Sequence, residues 1–415
     1  MANLHLKNLA LFELSYNDNI DNWGGWNILK MENKLKVLSL IGCDGLKQTP
    51  DFSGCVNLDI LSLNSCSNLQ EVDSSIGKLK YLTHLQIYSS RLLRKLPKEM
   101  GELVNLKHFS ITGCSKIKKL PDIEKLILLF ELDISQTNIT SLPDSIGNAK
   151  NLSSLDLSST SITELPISIG ELTQLKFLSL CNCENFVKLA ESIGNLTMLQ
   201  NLDLSGTQIV ELPDSIKNLK QLKVMKIKYC PIWRLPIGIG MLESLEKLSV
   251  RYCRQLAAPT AINSLTRLQK LDLSFCDNVQ ELPELPSSLN HLRVRSALLQ
   301  LVPNLSNLTN LVDLELSNNS GQALAQASTL QLQWVGKLSK LERLELCLSD
   351  LPVPSTELGC LPQLKTLTLP RMDSFDSVVV GPQFSHLKNL STLHLCHFVH
   401  EEIQLDGLEL LGDLT

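Results

Sequence analysis

Leu152-Ser-Ser-Leu155-Asp-Leu157-Ser-Ser-Thr160 is the stretch whose reading decides the fold. Its leucines fall at one, four and six, and the pair Leu155 and Leu157 brackets a polar residue. In an extended chain alternate side chains share a face, so these leucines point one way while Ser154, Asp156 and Ser158 point the other. One short strand of this kind cannot bury its leucines alone, and it needs copies of itself as neighbours. The copies are there. Leu35-Lys-Val-Leu38-Ser-Leu40-Ile-Gly-Cys43, Leu58-Asp-Ile-Leu61-Ser-Leu63-Asn-Ser-Cys66, Leu199-Gln-Asn-Leu202-Asp-Leu204-Ser-Gly-Thr207 and Leu268-Gln-Lys-Leu271-Asp-Leu273-Ser-Phe-Cys276 repeat the wording.

First leucines stand at 35, 58, 82, 106, 129, 152, 175, 199, 222, 245 and 268, and weaker copies start at Leu9, Leu289, Leu311, Leu341, Leu364 and Leu390. The spacing of the regular copies is 23 or 24 residues, the period of a leucine-rich repeat. Composition agrees: leucine supplies 88 of 415 residues while aromatics are 5%, which suits a thin repeated core better than one compact core of mixed shapes. The expected fold is an α/β solenoid, a single domain over residues 1–415 of about 17 repeats. Residues 1–34 form an atypical first repeat, 35–288 the regular series, and 289–415 an irregular series. A parallel sheet lines its concave side.

The return half of the repeat reads Leu142-Pro143-Asp144-Ser145-Ile146-Gly147, Leu165-Pro166-Ile167-Ser168-Ile169-Gly170 and Leu212-Pro213-Asp214-Ser215-Ile216. Proline starts a short turn, nearby Asp or Ser caps it, and glycine permits a tight exit. These predict short 3₁₀ or α turns on the convex side. Cys43, Cys66, Cys114, Cys183, Cys230, Cys253 and Cys276 hold the third place after the strand, shared elsewhere with Thr137, Thr160, Thr207, Asn17 and Asn319. Such residues form an inward ladder to backbone groups, and the thiols read as buried structural groups.

Several functions drop out. Net charge is −5 with 20% charged residues, which excludes an overall basic nucleic-acid binder. The N-terminal residues do not read as an export signal, no apolar run approaches membrane length, and twelve cysteines are too dilute for a disulfide scaffold, so a reducing cytoplasmic or nuclear setting is expected. No H-E-x-x-H, G-x-S-x-G or kinase signature occurs, so neither an enzyme nor a cofactor is expected. On a strand His394 and Cys396 face one way and His397 the other, with His400 beyond, so they do not converge on zinc. Seven N-x-[ST] sequons (Asn138, Asn151, Asn195, Asn304, Asn307, Asn318, Asn389) would suit a secreted receptor, yet most come from the repeat's own wording.

The cysteine ladder, the L-P-x-x-I-G-x-L return, "LPELPSSLNHLRV" at 282–294 and "NIDNWGGWNILKMENKLKVLSLIGC" at 19–43 resemble the leucine-rich-repeat region of plant intracellular disease-resistance proteins. The likeness is to those with a Toll/interleukin-receptor-like domain and a nucleotide-binding switch. That resemblance implies a sensor that contacts a pathogen effector, a monitored host protein or its own switch domain. The Walker-A loop of such a switch is missing here, and the repeats start and stop without polar caps. A receptor half or an incomplete gene product is therefore expected. A free-standing scaffold similar to plant Ras-group-related leucine-rich-repeat proteins is the alternative, which uniform ladder asparagines would favour. An extracellular receptor fragment is a third, which glycosylation would reveal.

Function belongs on the outward strand positions. The repeats from 129 to 199 present Glu131, Asp133, Asp156 and Asp203, whereas those from 222 to 289 present Lys226, Lys228, Lys247, Arg251, Lys270, His291, Arg293 and Arg295. Tyr229, Tyr252 and Phe275 stand one place beyond the strand in three successive repeats. Residues 219–300 hold 12 Lys/Arg against 6 Asp/Glu, and the remainder 26 against 37. Arg and Tyr on a rigid face are hot-spot residue types, and segregated charge steers encounter with an opposite partner. The candidate partner surface is thus Lys226, Lys228, Tyr229, Lys247, Arg251, Tyr252, Lys270, Phe275, Arg293 and Arg295. Replacing Arg251, Arg293 and Arg295 by Glu is expected to remove binding and leave thermal unfolding unchanged. Trp23 and Trp26, in a first-repeat insert, and residues 320–335, which lengthen one repeat, are weaker signals of contact.

Overall fold

The computed structural model describes residues 8–20, 26, 34–318, 333–348, 357–369 and 387–395. The chain divides into two compact units, Met1–Leu222 and Lys223–Thr415. In both, a strand begins two residues after each repeat's first leucine. The first unit holds β1 (Leu11–Ser15), β2 (Val37–Ile41), β3 (Ile60–Asn64), β4 (His84–Tyr88), β5 (His108–Thr112), β6 (Glu131–Asp133), β7 (Ser154–Asp156), β8 (Phe177–Ser179) and β9 (Asn201–Asp203). Each pairs in parallel with the next. The second unit holds β10 (Val224–Lys226), β11 (Lys247–Ser249), β12 (Lys270–Ser274), β13 (His291–Arg295), β14 (Asp313–Ser317), β15 (Arg343–Cys347), β16 (Thr366–Leu369) and β17 (Thr392–Leu395), again each parallel to the next.

In-register pairing stacks equivalent leucines. Leu38, Leu61 and Leu85 are register partners in turn, and all are fully buried. Each such side chain contributes about 1.5–3 kcal/mol by leaving water. The polar residues between them fall on the opposite face, so the strand face and the core face separate as the alternation predicts.

Most return segments among the described residues carry a 3₁₀ turn, such as Asp144–Asn148, Ile167–Glu171 and Ile237–Met241, whereas those after β2, β5, β12 and β13 carry none. Capping differs from the sequence reading. Pro143, Pro166 and Pro236 themselves take the N-cap place in extended backbone, with no side-chain hydrogen bond there. At Ser74–Lys78, which lacks the proline, the Asp73 carboxylate accepts from the Ser75 amide at 2.9 Å. The glycines serve close approach rather than a left-handed exit: a Cβ on Gly194 would lie 2.6 Å from the Ser215 Cβ.

The ladder forms as expected. Cys43, Cys183, Cys253 and Cys276 thiols donate to carbonyls of the preceding repeat (Leu14, Leu157, Ile227 and Val250) at 3.4, 3.0, 2.9 and 2.7 Å. Thr137 and Thr207 donate instead to carbonyls of their own repeat, Ile134 and Leu204, each one residue past the strand, at 2.8 Å. Burial pushes the Cys66 and Cys114 thiols up to about 11, and those of Cys253 and Cys276 up to about 12. No disulfide joins the described cysteines. In the repeat from Leu311 the buried inward residue is Asn318, whose amide donates to the Leu299 carbonyl at 3.4 Å; Asn319 lies outside the described residues.

The residue before the ladder position has positive φ in successive repeats: Tyr16, Gly42, Ser65, Ser89, Gly113, Gln136, Ser159, Asn182, Gly206, Tyr229, Tyr252 and Phe275. A left-handed residue there bends the chain off the strand and turns the next side chain inward. Among the described residues no helix is long and apolar enough to cross a membrane.

Candidate functional site

The predicted surface lies wholly in the second unit. Register sets out its outward columns. Val224, Lys247, Lys270, His291, Asp313, Arg343 and Thr366 share one level of the sheet. Lys226, Ser249, Asp272, Arg293, Glu315, Glu345 and Thr368 share the next. Lys228 and Arg251 stand at the following level, where Ser274, Arg295, Ser317 and Cys347 are partners in register.

Beyond these, Tyr229, Tyr252 and Phe275 form one continuous stack. Successive ring centroids are 4.4 Å apart with planes within 7° and 6° of parallel. All three have φ between 57° and 63°, a region that costs an L-residue about 1–2 kcal/mol. Stacking returns about 0.5–1.5 kcal/mol per ring pair. Apart from Tyr16 in the first repeat, the other repeats with positive φ fill this place with Gly, Ser, Asn or Gln, so three adjacent aromatics are a departure from what the turn itself requires. Arg251 lies 5.6 Å from the Tyr252 ring centroid and Arg295 5.5 Å from that of Phe275.

The cations separate into two kinds. Arg293 donates to Asp313 at 2.6 Å and its Nε lies 3.8 Å from Glu315. Arg295 bonds Glu315 and, at 2.8 Å, Glu345, and Arg343 reaches Glu345 at 3.0 Å. The carboxylates are nearly buried, with Glu315 at 5% side-chain exposure. The Asp313 bond holds the Arg293 guanidinium above its ordinary pKa. Arg293 and Arg295 therefore neutralise the sheet's own acids, which corrects the expectation that charge reversal there would spare folding: a glutamate would face buried carboxylates.

Lys247 and Lys270 are different. Both are exposed, adjacent in register, and neither makes an ion pair or hydrogen bond among the described residues. Arg251 is intermediate: its Nε lies 3.6 Å from Asp272 and has no hydrogen-bond partner among the described residues. Lys226, at the second level, and Lys228, at the third level with Arg251, are half-buried. His291 is held below its ordinary pKa by burial and then by Lys270.

In the first unit the acidic positions are also tied to the backbone. Asp133, Asp156 and Asp203 accept from the amides of Ser135, Ser158 and Ser205 at 2.9, 2.9 and 3.0 Å. Burial, then the charges of Asp133 and Asp203, raises the Asp156 carboxyl. Sequence reasoning missed a pair of stacked imidazoles, His84 and His108, 4.4 Å apart, with His108 3.0 Å from Glu131. Burial, then His108, lowers His84. Equal strand offsets in neighbouring repeats were the available signal. Trp26 is half-buried and its indole N–H donates to the Ile20 carbonyl at 3.3 Å. Trp23, residues 320–332, Cys396, His397 and His400 lie outside the described residues. Among the described residues no group of three or more His, Cys, Asp or Glu is placed to hold a metal.

A family model described as a leucine-rich repeat region matches residues 112–186 and 169–293. The chain is built of leucine-rich repeats. A solved leucine-rich-repeat protein of Leptospira interrogans superposes with TM-score 0.61 at 26% identity, covering 92% of this chain and 94% of that one. The plant peptide hormone receptor RGFR1, solved in complex with RGF2, gives TM-score 0.59 at 21% identity over 94% of this chain and 71% of that one, a likeness of fold. TMV resistance protein N of Nicotiana glutinosa is 33% identical over 72 residues, 17% of this chain and 6% of that protein. Disease resistance protein RPS6 of Arabidopsis thaliana is 36% identical over 81 residues, 20% of this chain and 7% of that protein. The leucine-rich-repeat chain thus spans under a tenth of the length of these curated relatives.

Proposed function

We propose that residues 1–415 form a non-enzymatic protein-recognition module of plant defence, the sensor part of a disease-resistance receptor, acting in the cytoplasm. The observation that carries this reading is the contrast on the second unit's strand face. Its arginines are matched by the sheet's own acids, while Lys247 and Lys270 stand exposed and unmatched beside a ledge of stacked aromatic rings. Partial likeness to two resistance proteins supports the defence role. The partner is a pathogen effector, a monitored host protein or a nucleotide-binding switch of the same receptor.

A cytoplasmic setting is supported by the sequons. Asn151, Asn307, Asn318 and Asn389 each commit their amide to a backbone carbonyl, at 2.9, 3.0, 3.4 and 2.6 Å, where a glycan would need that nitrogen. The eleven described cysteines, none in a disulfide, agree with a reducing compartment. The test is capture from leaf cells. Tagged wild type, Lys247→Glu/Lys270→Glu and a return-side control, Lys188→Glu/Lys217→Glu, are compared for bound protein and for defence output. The reading predicts that the face variant alone loses both; equal loss in the control would overturn it.

A further inference from the structure

The proposed recognition face carries more information than its net charge. Its three features differ in position: two unmatched lysines at the first outward level, Arg251 at the third, and the aromatic stack just beyond. From Lys247 to Tyr252 is five residues, the last three beyond the end of β11, so the lysine level and the ring ledge lie at most about 16 Å apart along the strand direction, taking about 3.3 Å per residue. The rings keep exposed area, with Tyr229 at 61%. The hydroxyls of Tyr229 and Tyr252 make no hydrogen bond among the described residues.

We infer, on the basis of the recognition reading above, that this face takes an extended acidic segment of a partner protein, anchored by an aromatic side chain. Carboxylates of that segment lie over Lys247 and Lys270. The chain then runs with the strands past the third level, where the outer nitrogens of Arg251 donate to a further carboxylate. An aromatic residue within about five places of the first carboxylate packs on the ledge of Tyr229 and Tyr252. Charge complementarity selects the occupant. Lys247 and Lys270 face outward on β11 and β12 with no ion pair among the described residues, and Arg251, in the turn after β11, has Asp272 beside it at 3.6 Å. A nucleic acid fits less well, because beyond Lys270 the outward cations Arg293, Arg295 and Arg343 are already paired with Asp313, Glu315 and Glu345 and are not available to a phosphate backbone that continues across the sheet.

The paired arginines then have a separate task. By neutralising the acids of β14 and β15 they end the cationic strip at Lys270, and so set its width.

The experiment uses a fluorescent random copolymer of glutamate and tyrosine as probe, with polyglutamate, polylysine and single-stranded DNA for comparison, each titrated against the full chain. The copolymer binds best, polyglutamate binds more weakly, and binding falls with added salt. Lys247→Met/Lys270→Met and Lys247→Glu/Lys270→Glu each weaken copolymer binding about tenfold or more. Tyr229→Ala weakens the copolymer but not polyglutamate. Urea midpoints unchanged from wild type verify that the lysine variants fold. Equal binding of copolymer and polyglutamate, tightest binding of DNA, or full binding by the lysine variants overturns the inference. If the probe fails while leaf-cell capture still depends on Lys247 and Lys270, this inference alone is wrong; if both fail, the recognition reading falls with it.

Discussion

Ser90 sits where Cys66 and Cys114 sit in the repeats on either side, fully buried, and its hydroxyl has no hydrogen-bond partner among the described residues. A buried unsatisfied hydroxyl costs about 1–3 kcal/mol. Ser90→Cys is therefore expected to stabilise the chain by about 1 kcal/mol, read as a higher urea midpoint at unchanged slope. Ser75→Ala is expected to do the reverse by a similar amount, because the Ser75 hydroxyl accepts from the Phe52 amide at 2.7 Å. The ladder thiols give a second prediction. With folded pKa values raised above 9.0, to about 11 for Cys66 and Cys114 and about 12 for Cys253 and Cys276, the unfolded chain loses these protons first. Stability is then full below pH 9 and falls as pH rises through that window. Cys253→Thr/Cys276→Thr should flatten the alkaline fall measured by urea unfolding; an unchanged slope would refute the thiol assignment.

At the scale of the element, the left-handed place before the ladder gives opposite signs for one substitution. Gln136 holds φ 56° there and is exposed, so Gln136→Gly should gain about 0.5 kcal/mol of stability by relieving strain. Tyr252→Gly relieves the same strain but removes both ring contacts, and should lose about 1 kcal/mol. Thermal or urea unfolding of the two variants decides it, and two gains would mean the stack contributes nothing. The strands themselves were legible from the leucine alternation, because burial of Leu155 and Leu157 requires it. The aromatics were legible as neighbours for the same reason. Their strained backbone was not, since the turn demands left-handed geometry whatever residue fills it. The acids that neutralise Arg293 and Arg295 were not legible there, because Asp313 and Glu315 lie on the next strand, beyond the basic stretch 219–300. The 30-residue spacing from Leu311 to Leu341 hid Glu345 as their neighbour. Asn319 was misplaced by one because the β13 and β14 repeats lack the extra residue before the inward position.

Across the whole molecule, charge has two roles that mutation can separate. Glu315→Gln leaves Arg293 and Arg295 short of a buried counter-charge and should cost about 2 kcal/mol of stability. Lys247→Glu/Lys270→Glu should leave stability within about 0.5 kcal/mol of wild type. Mild acid acts on the imidazoles of both units. His84 and His291 are held below 6.5, by burial first and then by His108 and Lys270, so the unfolded chain takes up protons before the folded one. Stability is full above 6.5 and falls as pH drops below it, and His84→Gln/His291→Gln should reduce that fall. The most direct test of the recognition face is amine labelling of the chain recovered from leaf cells with its bound protein, compared with the chain alone. Protection of Lys247 and Lys270, with Lys188 and Lys217 labelled equally in both samples, is the predicted result. Protection of Lys188 and Lys217 with Lys247 and Lys270 still reactive would place the partner elsewhere and contradict the account.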